Sequence, residues 1–270
     1  MPKTAPSTLS DKYGQLTKEG VLQLHCPRSW KEMTQQQLRY ALHVIGCGMY
    51  SSVEGRTLML LRFTGIEVLK KSIGGWACAV SVVSPEGKRK RHFFFLQSWQ
   101  VQDMIRQLEY VDSYETMDVR LESIQGFKAV DALLHHVIFS DYLNMEKYYQ
   151  GYLATKEEKY ALGLAQLLYP GGVTAIDDAE LTGCVMWYSY VKKQFSKFFS
   201  HFFKPVANMP GASQSGVNWL EQMNAQIRAL TDGDITKEQA VFAQDCWRAL
   251  TELDAKAKEA EDFRRKYPNS

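Results

Sequence analysis

The stretch WACAVSVVSPEGKRKRHFFFL, Trp76 to Leu96, decides the fold class. Two runs rich in Val, Ala and Phe flank Ser84-Pro85-Glu86-Gly87-Lys88. β-prone runs on either side of a Pro-Glu-Gly turn spell a β-hairpin, because proline presets the turn dihedral and glycine relieves the position after it. A hairpin set among helical periodicity makes the chain α+β and predominantly helical.

Upstream of the hairpin, Thr34 with Gln37 and Ser51 with Glu54 each form the S/T-x-x-E/Q signature of a capped helix start. Leu38, Ala41, Leu42 and Ile45 follow on one helical face before Gly46 and Gly48 stop it, and TLMLLRF continues the second helix. The first twenty residues carry Pro2, Pro6, Gly14 and Gly20 and read as a flexible leader (1–20) before a short strand at Val21–His25. Downstream, Val101, Ile105, Leu108 and Val111 recur at helical spacing, and Val119–Ile124 offers another short strand.

After Gly126 the pattern is helical throughout. Tyr142, Met145, Tyr149, Tyr152 and Leu153 share a face, YALGLAQLLYP follows, and Pro170-Gly171-Gly172 ends that run. A long helix is expected from Ala179 to Phe203, with Asp177-Asp178 at its N-terminus, where carboxylates satisfy free N–H groups. NMPGASQSG, Asn208 to Gly216, has the Pro, Gly and Ser content of a linker. Trp219, Met223, Ile227 and Leu230 then form one stripe, and Thr236 with Gln239 caps a last helix. Its seam of Ala243, Cys246, Leu250, Leu253, Ala257 and Ala260 suits a close antiparallel helical hairpin. The expected organisation is a leader (1–20), an α+β to helical body (21–206), a linker (207–216), a semi-independent C-terminal helical hairpin (217–263) and a tail (264–270).

Hydrophobic residues at 45% and charged residues at 23% are those of a folding globular chain, and a formal charge of +2 gives no global drive toward polyanions. Five cysteines are scattered without a CxxC pair, which argues against a disulfide framework or a zinc site and fits a reducing compartment. The N-terminal stretch lacks an apolar signal core and no run of 18 apolar residues occurs, so neither export nor membrane spanning is expected.

Chemical motifs fail on context. GCGMYSS, Gly46 to Ser52, follows a helix where a dinucleotide loop needs a strand, and no lysine of a phosphate loop follows it. His135 and His136 are adjacent, so on a helix they diverge by about 100° and do not share a metal, although Asp131 one turn away could orient His135. There is no GxSxG elbow and no cysteine in a catalytic signature. No catalytic, metal or cofactor-binding residue is assigned, and a non-enzymatic protein is expected.

Two clusters remain as binding candidates. Lys88, Arg89, Lys90 and Arg91, beside Phe93, Phe94 and Phe95, could track phosphates while rings stack on bases, or could simply solvate a hairpin edge. In KKQFSKFFSHFFKP, Phe195, Phe198, Phe199, Phe202 and Phe203 fall at i, i+3, i+4, i+7 and i+8, one helical stripe that core, partner groove or membrane surface must cover.

LHCPRSWKEMTQQQLRYAL, LLRFTGIEV, FSDYLNMEKYYQGYLAT and MNAQIRALTDGDITKEQAVFAQDCWRALTELDAKAKEAEDF, across most of residues 21–262, resemble proteins of Bacteroides-type prophages and phage-like elements. The resemblance implies a phage context in the tail or virion morphogenesis region and transfers no residue roles. The leading expectation is a tail-assembly-chaperone-like factor in the cytoplasm of the bacterial host, or associated with the virion, that binds a phage tail or other virion protein. Trp219, Trp247, Phe199 and Phe203 are its candidate anchors, and self-association into a homo-oligomer is left open. The alternative is a nucleic-acid-binding accessory protein using the basic 88–92 hairpin.

Overall fold

The computed structural model describes residues 14–16, 22–83, 89–203 and 219–267. Its fold is α+β and mostly helical, as expected, and the chain divides into two compact units between Asp118 and Val119.

In the first unit the expected hairpin forms from β4 (Gly75–Val83) and β5 (Arg89–Gln97), paired antiparallel from Gly75 opposite Gln97 to Val83 opposite Arg89. The turn residues 84–88 lie outside the described set. Gly75 is required where it stands: its φ is 143°, and a Cβ there would lie 2.0 Å from the Leu96 carbonyl oxygen. On its other edge β4 pairs antiparallel with β3 (Glu67–Ser72), whose register shifts between Val68 and Lys70, and parallel with β1 (Gly14–Leu16). β1 pairs in turn with β2 (Leu22–Gln23). The leader therefore contains a strand, and β3 was not anticipated; both owe their pairing to β4, a long-range partner.

Helices α1 (Gln35–Gly46) and α2 (Ser52–Thr64) start at the two expected capping boxes, and α2 ends at Gly65 in the left-handed region. α3 (Ser98–Arg106) packs on β4 and β5, followed by a 3-10 turn at Glu109–Asp112. Leu38, Leu42, Met59, Leu60 and Phe63 from the helices and Cys78, Val80 and Val82 from β4 form this unit's core. The buried Arg56 guanidinium holds the 3-10 turn through Glu109 at 3.2 Å and Asp112 at 3.7 Å.

In the second unit only Ser123–Ile124 (β6) of the expected strand at Val119–Ile124 forms, paired with β7 (Phe127–Lys128). α4 (Phe139–Thr155) and α5 (Glu158–Leu168) pack as neighbours, and α6 (Asp178–Phe198) packs on α5 from a capping box of Asp177 with Glu180. The long helix stops five residues short of Phe203. Asp254 accepts the backbone N–H groups of His201 and Phe202 at 2.8 and 2.9 Å, so these residues turn away and the helical stripe ends at Phe198–Phe199.

The C-terminal region holds α7 (Trp219–Thr231), a short α8 (Glu238–Phe242) and α9 (Cys246–Lys266). The expected single last helix is interrupted because Asp245 caps a fresh start, its carboxylate accepting from Trp247 N–H at 2.9 Å and from His136 N–H at 2.7 Å. The linker residues 207–216 lie outside the described set. The C-terminal helices belong to the same compact unit as α4–α6, where α9 packs on α4 and buries Cys246, Ala249, Leu250 and Leu253. The observed division thus falls inside the expected 21–206 body.

Candidate functional site

Alternation along β5 sorts the basic and aromatic residues of the hairpin onto two faces. Phe94 opposite Cys78, and Leu96 opposite Trp76, lie on the side of β4 that carries the buried Cys78, Val80 and Val82. Arg89, Arg91, Phe93 and Phe95 point the other way, and there Phe93 is 63% and Phe95 53% exposed. Their cross-strand neighbours on β4 are small: Ser81 faces Arg91, Ala79 faces Phe93 and Ala77 faces Phe95. β3 adds Glu67 beside Ala79 and Lys70 beside Ala77. The result is a ridge of two cations and two rings along one edge, next to the exposed Ser81 and the half-buried Ala77, while Ala79 between them is fully covered.

The ridge is partly preorganised. Glu67 pairs with Arg91 at 2.5 Å, and the Arg91 guanidinium lies 5.4 Å from the centre of the Phe93 ring. Of the four basic candidates, Arg89 and Arg91 sit on this face, Lys90 projects exposed from the opposite one, and Lys88 lies outside the described residues. The alternation of the three rings is readable from the sequence, but the exposure of Phe93 and Phe95 is not, since it depends on what the rest of the fold places over that face. Trp99, an exposed ring just past the strand end whose Nε1 donates to Gln97, was missed for the same reason.

The expected protein-binding anchors are placed differently. Trp247 packs inside the second unit: its indole stacks on His135 at 4.3 Å, meets the rings of Phe195, Phe198 and Phe199 at 5.4 Å each, and donates to the Leu133 carbonyl at 2.7 Å. Phe195 and Phe199 are 1% and 4% exposed, Phe198 53%, and Phe202 and Phe203 are half-buried against each other. The phenylalanine stripe is thus divided: Phe195 and Phe199 are core, Phe202 and Phe203 are half-buried, and Phe198 is exposed. Trp219 opens α7, and its side chain lies outside the described set.

His135 is not helical. Asp131 accepts the N–H groups of Leu133 and His135 at 2.9 and 3.1 Å, an Asx-type turn that hands the imidazole to Trp247. Among the described residues no three His, Cys, Asp or Glu side chains gather where they could hold a metal ion, and no helix is long and apolar enough to cross a membrane.

A cleft of about 570 Å³ in the first unit is lined by His25, Cys26, Arg28, Glu32, Leu60 and Met104. Burial pushes the Cys26 thiol up to about 11, outweighing the nearby Arg28, so at neutral pH it is a protonated thiol and a poor nucleophile. Glu32 is already engaged, accepting from the Arg28 backbone N–H at 2.8 Å. Comparison with protein-family models, with curated proteins and with solved structures returns no match.

Proposed function

We propose that this protein is a non-enzymatic binding protein whose working surface is the outer face of β3–β4–β5, and that this face takes single-stranded nucleic acid. One observation carries the reading: Arg89, Arg91, Phe93 and Phe95 lie in register on one face of the sheet, with both rings more than half exposed. Burying a Phe is worth about 1.5–3 kcal/mol, so two rings left in water on a pleated surface ask for an occupant. Flat rings accept any base and guanidiniums meet phosphates, whereas the bases inside a duplex are stacked on one another and do not offer their faces to such rings.

The test is fluorescence anisotropy with labelled single-stranded oligonucleotides of about ten nucleotides and a matched duplex. Single strands should bind better than duplex, and Phe95→Ala should weaken binding by about 1–3 kcal/mol whatever the sequence. Arg89→Ser should flatten the salt dependence by roughly 0.7 in the log–log slope. No retention at 50 mM salt, or affinity indifferent to Phe95→Ala, would remove the proposal.

The phage tail or virion assembly reading is supported by the resemblance and by the exposed Phe263 on α9, which stands as an anchor in place of the packed Trp247 and Phe199. Deleting the gene from an inducible element and imaging the lysate tests it: tailless heads or aberrant tails support it, and normal infectious particles overturn it.

A further inference from the structure

We infer that β5 is a self-complementary edge through which two copies of this chain join antiparallel into one continuous sheet. Among the described residues β5 is paired on one side only, by β4, and at nine residues it is a long edge with a row of backbone donors and acceptors on its other side. Such an edge recruits a strand, and its side chains decide which.

The order of residues in β5 answers that. Its first half, Arg89-Lys90-Arg91-His92, is basic, and its second half, Phe93-Phe94-Phe95-Leu96-Gln97, has no charge. Parallel pairing of two copies would set Arg89, Lys90 and Arg91 each against itself, and like charges directly opposite are unfavourable. Antiparallel pairing about Phe93, the middle residue, does the reverse over the full strand. Arg89 then faces Gln97 of the second copy, Lys90 faces Leu96, Arg91 faces Phe95, His92 faces Phe94, and the two Phe93 rings meet at the twofold axis. No basic residue opposes another, each Arg91 gains a ring, and the central rings gain each other. A register centred on Arg91 would bring the two Arg91 side chains face to face.

This pairing keeps the same face of both sheets on one side, so the exposed rings of two copies join into one aromatic surface. The inference does not depend on what that surface binds, and its test contains no nucleic acid.

Sedimentation of the full chain across a concentration series should show a monomer–dimer equilibrium. Phe93→Lys, which places two charges together at the axis of an exposed position, should weaken dimerisation by about tenfold or more while the circular dichroism of the fold is retained; Phe93→Tyr should dimerise like the parent. Register is read by cross-linking. Phe93→Cys should form an interchain disulfide on mild oxidation, since paired Cα atoms lie about 5 Å apart. Arg89→Cys should not, because eight residues of antiparallel offset separate it from its counterpart by about 27 Å. A chain that stays monomeric at every concentration, a dimer indifferent to Phe93→Lys, or equal cross-linking at both positions would overturn the inference. A dimer that ignores oligonucleotides would leave it standing and remove only the proposed function.

Discussion

Glu146 shows how much a single side chain can hold when its partners come from far along the chain. Its carboxylate accepts from Tyr188 OH at 3.3 Å and from Gln150 Nε2 at 2.7 Å, and it pairs with the Lys192 ammonium, which itself lies 5.4 Å from the Tyr149 ring centre. Both ends of the ion pair are largely withdrawn from water, unlike Glu67 and Arg91, whose pair on the sheet face is open to it. Removing one partner of a buried pair strands the other charge, whereas an exposed pair is worth little. Glu146→Gln should therefore destabilise the protein by about 1–3 kcal/mol and Glu67→Gln by less than about 1 kcal/mol, compared by urea unfolding at pH 7. Equal effects would mean that burial does not set the difference. Nothing near Glu146 in the sequence marks it, because Tyr188 and Lys192 lie 42 and 46 residues away. The capping boxes at Thr34 and Ser51 were legible because both halves of each sit within four residues, whereas at the start of α6 the N-terminal carboxylate Asp177 was readable and its reciprocal partner Glu180 was not read.

Elements were legible wherever local pattern and tertiary partner agree, and failed where the partner alone decides. The hairpin β4–β5 carries its own turn and complementary runs, so its register follows from the sequence; β3 has only β4 to make it a strand, and its Lys70-Lys71 reads as solvent-exposed coil. The periodicity of Phe195–Phe203 promises nine continuous helical residues, but Asp254 on α9 captures the backbone at His201 and Phe202 and ends the helix early. α9 also delivers Trp247 into the rings of α6 and ties its cap region to the chain before α4, with Cys246 N–H donating to Val137 and Phe139 N–H to Gln244, at 2.8 and 2.7 Å. These contacts make α9 a structural part of the second unit. Trp247→Ala should cost about 3–5 kcal/mol, the range for emptying a large aromatic site, and a chain truncated after residue 218 should lose the cooperative unfolding of residues 119–203. The readouts are the urea midpoint and hydrogen exchange on peptides from α4–α6. A truncated chain that keeps native protection there would restore the C-terminal helices as a separable hairpin.

At the scale of the whole molecule, the two units bury different amounts of titratable surface, and alkali should tell them apart. In the first unit burial pushes Cys26 up to about 11 and raises Tyr110, and it also raises Tyr40 and Cys78, which are less deeply buried. The second unit buries its groups more deeply: Cys246 is pushed up to about 12, and Tyr142, Tyr169, Cys184 and Tyr188 are all strongly raised, chiefly by burial, with the Glu146 carboxylate reinforcing the effect at Tyr142 and Tyr188. Each of these groups keeps its proton in the folded protein at a pH where the unfolded chain, with thiols near 9.0 and phenols near 10.0, has begun to release it. The folded values are raised, so the stability they contribute is complete below pH 9 and is lost as pH climbs through the window from 9 toward the folded values. Stability should thus be flat from pH 7 to 8.5 and then fall, by on the order of several kcal/mol at pH 11, and the fall should be steeper in residues 119–267 than in residues 22–118. Urea unfolding of the intact chain at pH 8, 9.5 and 10.5, followed by hydrogen exchange on peptides from each unit and corrected for intrinsic exchange rates, reads both slopes. Equal slopes, or a second unit unmoved at pH 10.5, would show that its phenols and thiols are open to water and that the packing around Glu146 and Trp247 is looser than the geometry describes.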